Sequence, residues 1–591
     1  MAFERTRRIS HALLDYAWRK LNARTRAPFL LALRLVRSAP DKLRIAPPDL
    51  RTCDPSLADQ IYLGCYALSG VSADTGGRSP FEVDPPSEMW LKSLHEFGWL
   101  RHLRAAETKV ARSNAQALIE DWIRLASRHP PIAYQPEVTA QRLLSWMSQS
   151  PMILAEVDHS YYKRFLRTLV RQVLNLSYAI NEAPHGKPRL IAAIALATAS
   201  VCLFDNPRQL RQRLARLDQE LSWQILPDGG HVSRNPMVGL DLLVHLLPLR
   251  QALIAQGTTP SPTLIGAIDR MMPFLTGLRH GDGTFAHFNG VSTTPIDQVA
   301  TILAFQEEPG APPRTSPYGG YERLQAGSTL LILDTGAIPP VKTSADAHAG
   351  ALSFELSSGR TPIVINCGAP QQHQENWRPF ARATAAHSTL VFNETSSAQF
   401  LYGSRLEATL GGLILDGPTA VITKRTSSEE DEAETLTLSH DGYRKRFGLV
   451  HERRISVAKK GSQVLGVDRL IAEGKPPGAD SDYFVLRFHL HPALKASVAR
   501  GGALVHLILN NGEAWEFEVD TSRARLDESI HFAHRQGHRK TQQIVVEGSF
   551  HDTPEISWSF TRLGRQRSRN RRTVTAELPF EQDTDTAQGE K

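Results

Sequence analysis

Apolar positions recur at helical spacing over the first half of the chain and alternate over the second. After Asp84-Pro85-Pro86-Ser87, which reads as a stop followed by an N-cap, Trp90, Leu94, Phe97 and Leu100 fall on one helical face, and Leu118, Trp122 and Leu125 repeat the pattern before Pro130-Pro131. Further helices are expected over 138–147, 166–180, 189–204, 209–225 and 237–255, joined by short polar or Pro/Gly connections, as in an array of antiparallel helical hairpins. No fixed-period repeat marks a solenoid. Beyond Gly310-Ala311-Pro312-Pro313 the period drops to two. Strands are expected over 328–334, 351–356, 361–365, 388–392, 419–422, 434–438, 449–457, 463–470, 484–490, 503–509, 514–518 and 543–550. A dozen strands with almost no helical signal predict an antiparallel β-sandwich, with the seam between the two halves near 290–325.

With 591 residues, two large domains are expected, and 41% apolar with 22% charged residues is the composition of a soluble globular protein. The net charge of +7 does not describe the body. Residues 1–44 hold eleven Lys or Arg against three acids, and 562–572 add six arginines, leaving about −7 for the remainder. A basic substrate cleft and nucleic-acid binding are therefore not indicated. The run 29–36 is broken by Arg34, which argues against a signal peptide, and the longest uncharged run, Leu190–Phe204, is short for a bilayer. The expectation is a cytoplasmic protein without a transmembrane segment, in which Ile9, Leu13, Tyr16 and Leu21 either pack on the body or make peripheral contact with an anionic membrane. Cys53, Cys65, Cys202 and Cys367 show no paired spacing and read as buried thiols. The acidic run from Glu429 reads as a solvated loop, and the residues after Phe580 as a disordered tail.

Three groups of residues carry candidate chemistry. His348 and His387 stand at the two ends of a strand-turn-strand unit, Ala351–Leu356 then Thr361–Ile365. His231 follows the Asp228-Gly229-Gly230 turn and precedes Arg234 and Asn235 at a helix start, where free N–H groups and a guanidinium favour an anion. The alternative is that Asn235 caps the helix and Arg234 pairs with Asp228. His280, Asp282 and His287 surround a Gly-x-Gly turn near the seam.

The succession of helices and strands, with HAGALSFEL from His348, AAHSTLV ending at Val391, QILPDGGHVSRNP from Gln224, RHGDGTFAHFN from Arg279, HDGYRKRFGLVHERR from His440 and RFHLHP from Arg487, resembles the heparinase II/III-like family of polysaccharide lyases. The resemblance implies a basic N-terminal segment (1–50), an incomplete α/α toroid (51–310), a β-sandwich (320–575) and a tail (576–591). It also implies a carbon-oxygen lyase cleaving uronic-acid-containing polysaccharide by β-elimination in an interdomain cleft. A catalytically degenerate, glycan-binding or cell-envelope accessory protein is the alternative, with a periplasmic location as its counterpart. The reaction requires a group that neutralises the uronate carboxylate, a base for the C5 proton and an acid for O4. The implied assignments are Arg234 and Asn235 as neutralisers, His231 for proton transfer, and Tyr443 and His348 in support. Arg189, Asp282, His287, Trp377 and Arg378 are the implied substrate contacts. Zinc on His348, Asn366 and His387 is the implied metal alternative to a hydrogen-bonded His348–His387 pair. Asp346 stands where relatives often place a first histidine, Asn366 where they place an aspartate, and Gly186-Lys187-Pro188-Arg189 where many carry Asn-His.

Overall fold

The computed structural model describes residues 2–33, 40–306, 308, 310–403, 405–428, 433–478, 481–520 and 523–563; in the first helix, side chains are described over 5–23. The bulk of the acidic run from Glu429 and the expected tail lie outside these residues.

The N-terminal half is helical: α1 (Ala2–Leu33), α2 (Ser56–Tyr62), α3 (Glu88–Glu96), α4 (Leu100–Ala105), α5 (Lys109–Arg124), α6 (Pro136–Ile153), α7 (His159–Ala179), α8 (Lys187–Leu203), α9 (Pro207–Gln224), α10 (Pro236–Ala255), α11 (Pro262–Gly277) and α12 (Ile296–Leu303). Local chemistry sets their starts. The Ser87 hydroxyl accepts from Trp90 N–H at α3, as its position before the apolar stripe predicts, and Thr108, Asp158, Asn206, Asn235 and Ser261 cap α5, α7, α9, α10 and α11 in the same way. Proline in the first turn of α6, α8, α9, α10 and α11 sits where its missing N–H costs nothing. One core, running from Trp90 through α8 and α10 to Phe288, joins these helices.

Among the described residues α10 is the one helix long and apolar enough to cross a membrane, and 67% of that stretch is buried inside the protein. α1 packs on α7 and also reaches the strand Ile414–Asp416 of the second half, so the basic N-terminal segment is part of the folded body.

The second half is a two-sheet antiparallel sandwich. One sheet runs in the order 524–531, 539–549, 483–490, 361–365, 354–358, 329–334, 321–326 and 315–316, with 390–392 also paired to 483–490. The other runs 421–428, 433–440, 449–458, 463–472, 555–562, 514–519, 504–508 and 495–499. A separate core, including Phe354, Phe488, Phe517, Trp558 and Phe560, fills the space between them. The predicted hairpin forms with Thr361 paired to Ser358 and Gly359-Arg360 at its tip. All four cysteines are free thiols, but only Cys202 and Cys367 are buried. Cys53 is exposed and Cys65 half-buried, because the segment before α3 lies on the surface of the helical domain.

Candidate functional site

Where the helical domain meets the sandwich, a cavity of about 680 Å³ opens between the starts of α8 and α10, the 231–235 turn and two sandwich segments around 342–348 and 369–378; Ala12, Asp15 and Arg19 of α1 close one side.

His231 lies on this wall, with both ring nitrogens engaged. Its Nδ1 accepts from the Ser233 N–H (3.1 Å), which places the proton on Nε2; Nε2 donates to Gln224 Oε1 (3.0 Å), and Gln224 in turn donates to Glu220 (3.0 Å). The Ser233 hydroxyl donates to the same Nδ1 (2.7 Å). Burial first, and then the Lys187 charge, lower its pKa to about 3. His231 is thus a neutral, saturated wall residue, and the proton-transfer role expected of it has no free nitrogen to act through.

Arg234 is not a substrate neutraliser. Its guanidinium is buried and donates to the carbonyls of Gly319, Gly320, Gly336 and Ala337 and to Asp334 (2.5 Å), over the Tyr321 ring. Asp228, the partner expected in the alternative, instead accepts from the backbone N–H groups of Tyr318 and Gly319. Asn235 does cap α10: its Oδ1 accepts from Met237 N–H (3.0 Å), which turns its Nδ2 toward Gly290 on the cavity lining. From Arg234 a chain of bonds continues through Asp334 to Asn289, whose Nδ2 donates to Asp334 (3.0 Å) and whose Oδ1 accepts from the His348 N–H (3.1 Å).

His348 faces the cavity with a defined tautomer. His387 Nδ1 lies 2.8 Å from the Ala383 carbonyl, so it carries the proton, and His387 Nε2 is an acceptor. His348 Nδ1, 3.0 Å from that Nε2, is then the donor, and His348 Nε2 holds an unprotonated lone pair. Among the described residues no side chain engages it. Burial and then the neighbouring His387, Arg382 and Arg378 hold the His348 pKa well below its ordinary value. Gly350 makes room for this relay, since a Cβ there would stand 2.7 Å from His387 Cδ2.

Besides Arg19, three cations line the same cavity. Lys187 donates to Asp241 (2.7 Å), Lys342 to Asp15 (3.1 Å), and Arg378 to Asp346 (2.6 Å). The Asp241 charge raises the Lys187 pKa, so it is a permanent cation.

Zinc does not fit here. Asn366 Oδ1 already accepts from Ser388 N–H (2.9 Å), its Nδ2 leans on Glu355, and His348 and His387 bond each other. Among the described residues there is no group of three or more His, Cys, Asp or Glu placed to hold a metal. The hydrogen-bonded pair, the other expectation, is the arrangement present.

Of the remaining expected residues, only Arg378 is on the lining. Tyr443 is buried in the sandwich core, donating to the Leu390 carbonyl (3.0 Å), because the turn between the strand ending at His440 and the short helix Arg444–Phe447 carries it there. Asp282 closes its own turn onto Thr284, and His287 is buried against Glu355 (3.1 Å) together with His280 (3.0 Å). Trp377 packs on Phe380, Phe532 and His538 outside the cavity. Arg189 lies behind His185 and donates to the Ala183 carbonyl (2.8 Å). Lys187, Lys342 and Asp15 were missed as site residues. The signal for Lys187 was the Gly186-Lys187-Pro188 helix start; nothing in the sequence brings Asp15 to the cleft.

Residues 308–559 match the model of the heparinase II/III-like C-terminal domain. FtsZ-localized protein C of Caulobacter vibrioides (strain NA1000 / CB15N) is 30% identical over 546 residues, covering 90% of this chain and 92% of that protein. The chain belongs to the heparinase II/III-like family. A crystal structure of heparinase III superposes with a TM-score of 0.64 over 90% of this chain and 88% of that one, at 14% identity. The heparan sulfate lyase HepC of Pedobacter heparinus superposes with a TM-score of 0.58 over 95% and 91%, also at 14% identity. These likenesses establish the heparinase fold, helical toroid plus sandwich, for the described residues.

Proposed function

We propose that the cavity binds an acidic polysaccharide and that His348 is its reactive group, in a β-elimination at a uronate residue. The observation that carries this reading is the fixed tautomer chain Ala383–His387–His348, which presents one unprotonated Nε2 to a cavity lined by Lys187, Arg378 and the Asn235 amide. A bound carboxylate beside these donors is neutralised, which makes the C5 proton removable. It also raises the affinity of His348 for a proton, moving its depressed pKa toward the range a general base needs. With His231 saturated, a single group serves both transfers: the C5 proton passes to His348 Nε2, the C5–H electron pair forms the C4=C5 double bond, the C4–O4 bond breaks, and O4 takes the proton from His348.

The test is incubation with heparan sulfate, chondroitin, alginate and polygalacturonate, reading the ultraviolet absorbance of the unsaturated uronate. Product formation lost in His348→Gln supports the reading, whereas undiminished turnover in that variant refutes it.

Asp346, paired with Arg378 at the mouth, and the likeness to a protein named for its localisation with FtsZ favour a second reading, a glycan-binding protein without turnover. Binding without product across the panel would select it.

A further inference from the structure

The wall of the cavity formed by α1 holds an ionic cluster that the reaction does not use. Asp15 Oδ1 accepts from Lys342 Nζ (3.1 Å) and lies 3.1 Å from His185 Nε2, while its Oδ2 accepts from Arg19 Nε (3.0 Å) on the next turn. Arg189 stands behind His185, 3.2 Å from its ring. Lys342 belongs to the sandwich and His185 to the helical domain, so the carboxylate bridges the two domains at the edge of the cavity. It is well shielded, with 14% of the side chain exposed.

α1 packs on α7 and on the strand Ile414–Asp416, and its described side chains bury little. Over 5–23, Ala12 is the one residue fully buried, whereas Leu14, Trp18 and Leu21 are exposed. Little apolar area of this stretch therefore opposes lifting it, and Asp15 ties it to both domains at the edge of the cavity. The geometry points to α1 as a self-occupying strap: Asp15 fills an anion subsite made by His185 and Lys342, and a sugar carboxylate two or more residues along a uronate chain takes that subsite when α1 is displaced. This rests on the acidic-polysaccharide reading above. The occupant already present argues for a carboxylate as the ligand class, because the donors are spaced for one. An intramolecular carboxylate competes at an effective concentration on the order of millimolar, so its removal should tighten the binding of a free uronate chain.

The experiment compares the full-length wild type, Asp15→Asn, Lys342→Gln and the double variant. Binding of a glucuronate-containing heparan sulfate hexasaccharide is read by calorimetry, and amide hydrogen exchange is read over residues 5–23. The expected result is about tenfold tighter binding by Asp15→Asn, loss of that gain in the double variant, and faster exchange in α1 of Asp15→Asn. Hydrogen exchange in the rest of the chain verifies that each variant is folded. Equal affinities of wild type and Asp15→Asn, with both still binding the hexasaccharide, would overturn the strap and leave the glycan reading standing. No binding by any variant to this oligosaccharide or to the four polysaccharides would overturn both, even if α1 exchanges faster.

Discussion

Replacing Arg234 tests the joint between the two domains. The guanidinium comes from the helical half and gives its donors to four carbonyls and one carboxylate of the sandwich, with Gly319, Gly320 and Asp334 buried and Gly336 and Ala337 half-buried. Arg234→Met leaves Asp334 as a buried carboxylate that retains Asn289 but loses its cation. Removing one partner of a buried pair costs about 3–5 kcal/mol, and each carbonyl left without a donor adds up to about 1–3 kcal/mol where water cannot reach it. Asp334→Asn should cost less, because the carbonyls still hold Arg234. Arg234→Lys should be nearly as harmful as Arg234→Met, since an ammonium cannot serve a planar fan of five acceptors. For a domain of this size the loss corresponds to a fall of roughly 6–15 °C in the midpoint of the sandwich transition. The assay is calorimetric unfolding of the four proteins, with tryptophan fluorescence as a second probe. A shift below 2 °C for Arg234→Met, or an Arg234→Lys indistinguishable from wild type, would refute the claim that this side chain joins the domains.

Gly350→Ala should displace His387 and so release the tautomer of His348: activity or glycan binding falls at least tenfold while the fold persists, read by near-ultraviolet circular dichroism beside the binding assay. Tyr443→Phe should cost about 1 kcal/mol in unfolding free energy for its lost bond to Leu390 and leave the site's behaviour unchanged, which separates its structural role from a catalytic one. Acidification should destabilise the protein early. His231, His489 and His531 are buried with pKa values lowered to about 3, so between the ordinary histidine value near 6.5 and 3 the unfolded chain takes up protons that the folded one refuses. Stability is then fully present above pH ~6.5 and is lost as pH falls, at up to ~4 kcal/mol per pH unit for the three together, measurable as the urea midpoint between pH 7 and 5.

The two-part architecture was legible because period 3.6 and period 2 occupy separate halves of the chain. What escaped were mostly edge strands. Ala524–His531 and Lys495–Ala499 lie at the ends of their sheets, where one side of the ladder is open and polar residues blunt the apolar signal. Glu555–Arg562 is central, and its alternation of Ile556, Trp558 and Phe560 should have been enough. At the site, local sequence named the 231–235 turn that lines the cavity and the His348–His387 pair that the structure brings together, but could not say where donors point. Arg234 and Asn235 are neighbours in the chain, yet one is spent on the opposite domain and the other on its own helix. Whether His231 or His348 keeps a free nitrogen depends on Gln224 and Ala383, contacts that residue spacing does not encode.

The Arg234 joint also constrains how the molecule can flex. It sits one residue from both Ser233 and Asn235 on the cavity wall and is many-handed, whereas Asp15 bonds the sandwich through Lys342. The two halves are also riveted where Glu355 of the sandwich holds His280 and His287, so the seam is fixed at more than one point. His348, bonded through Asn289 and Asp334 to Arg234, belongs to this fixed seam, so the side chain that faces the cavity is positioned by both halves of the chain at once.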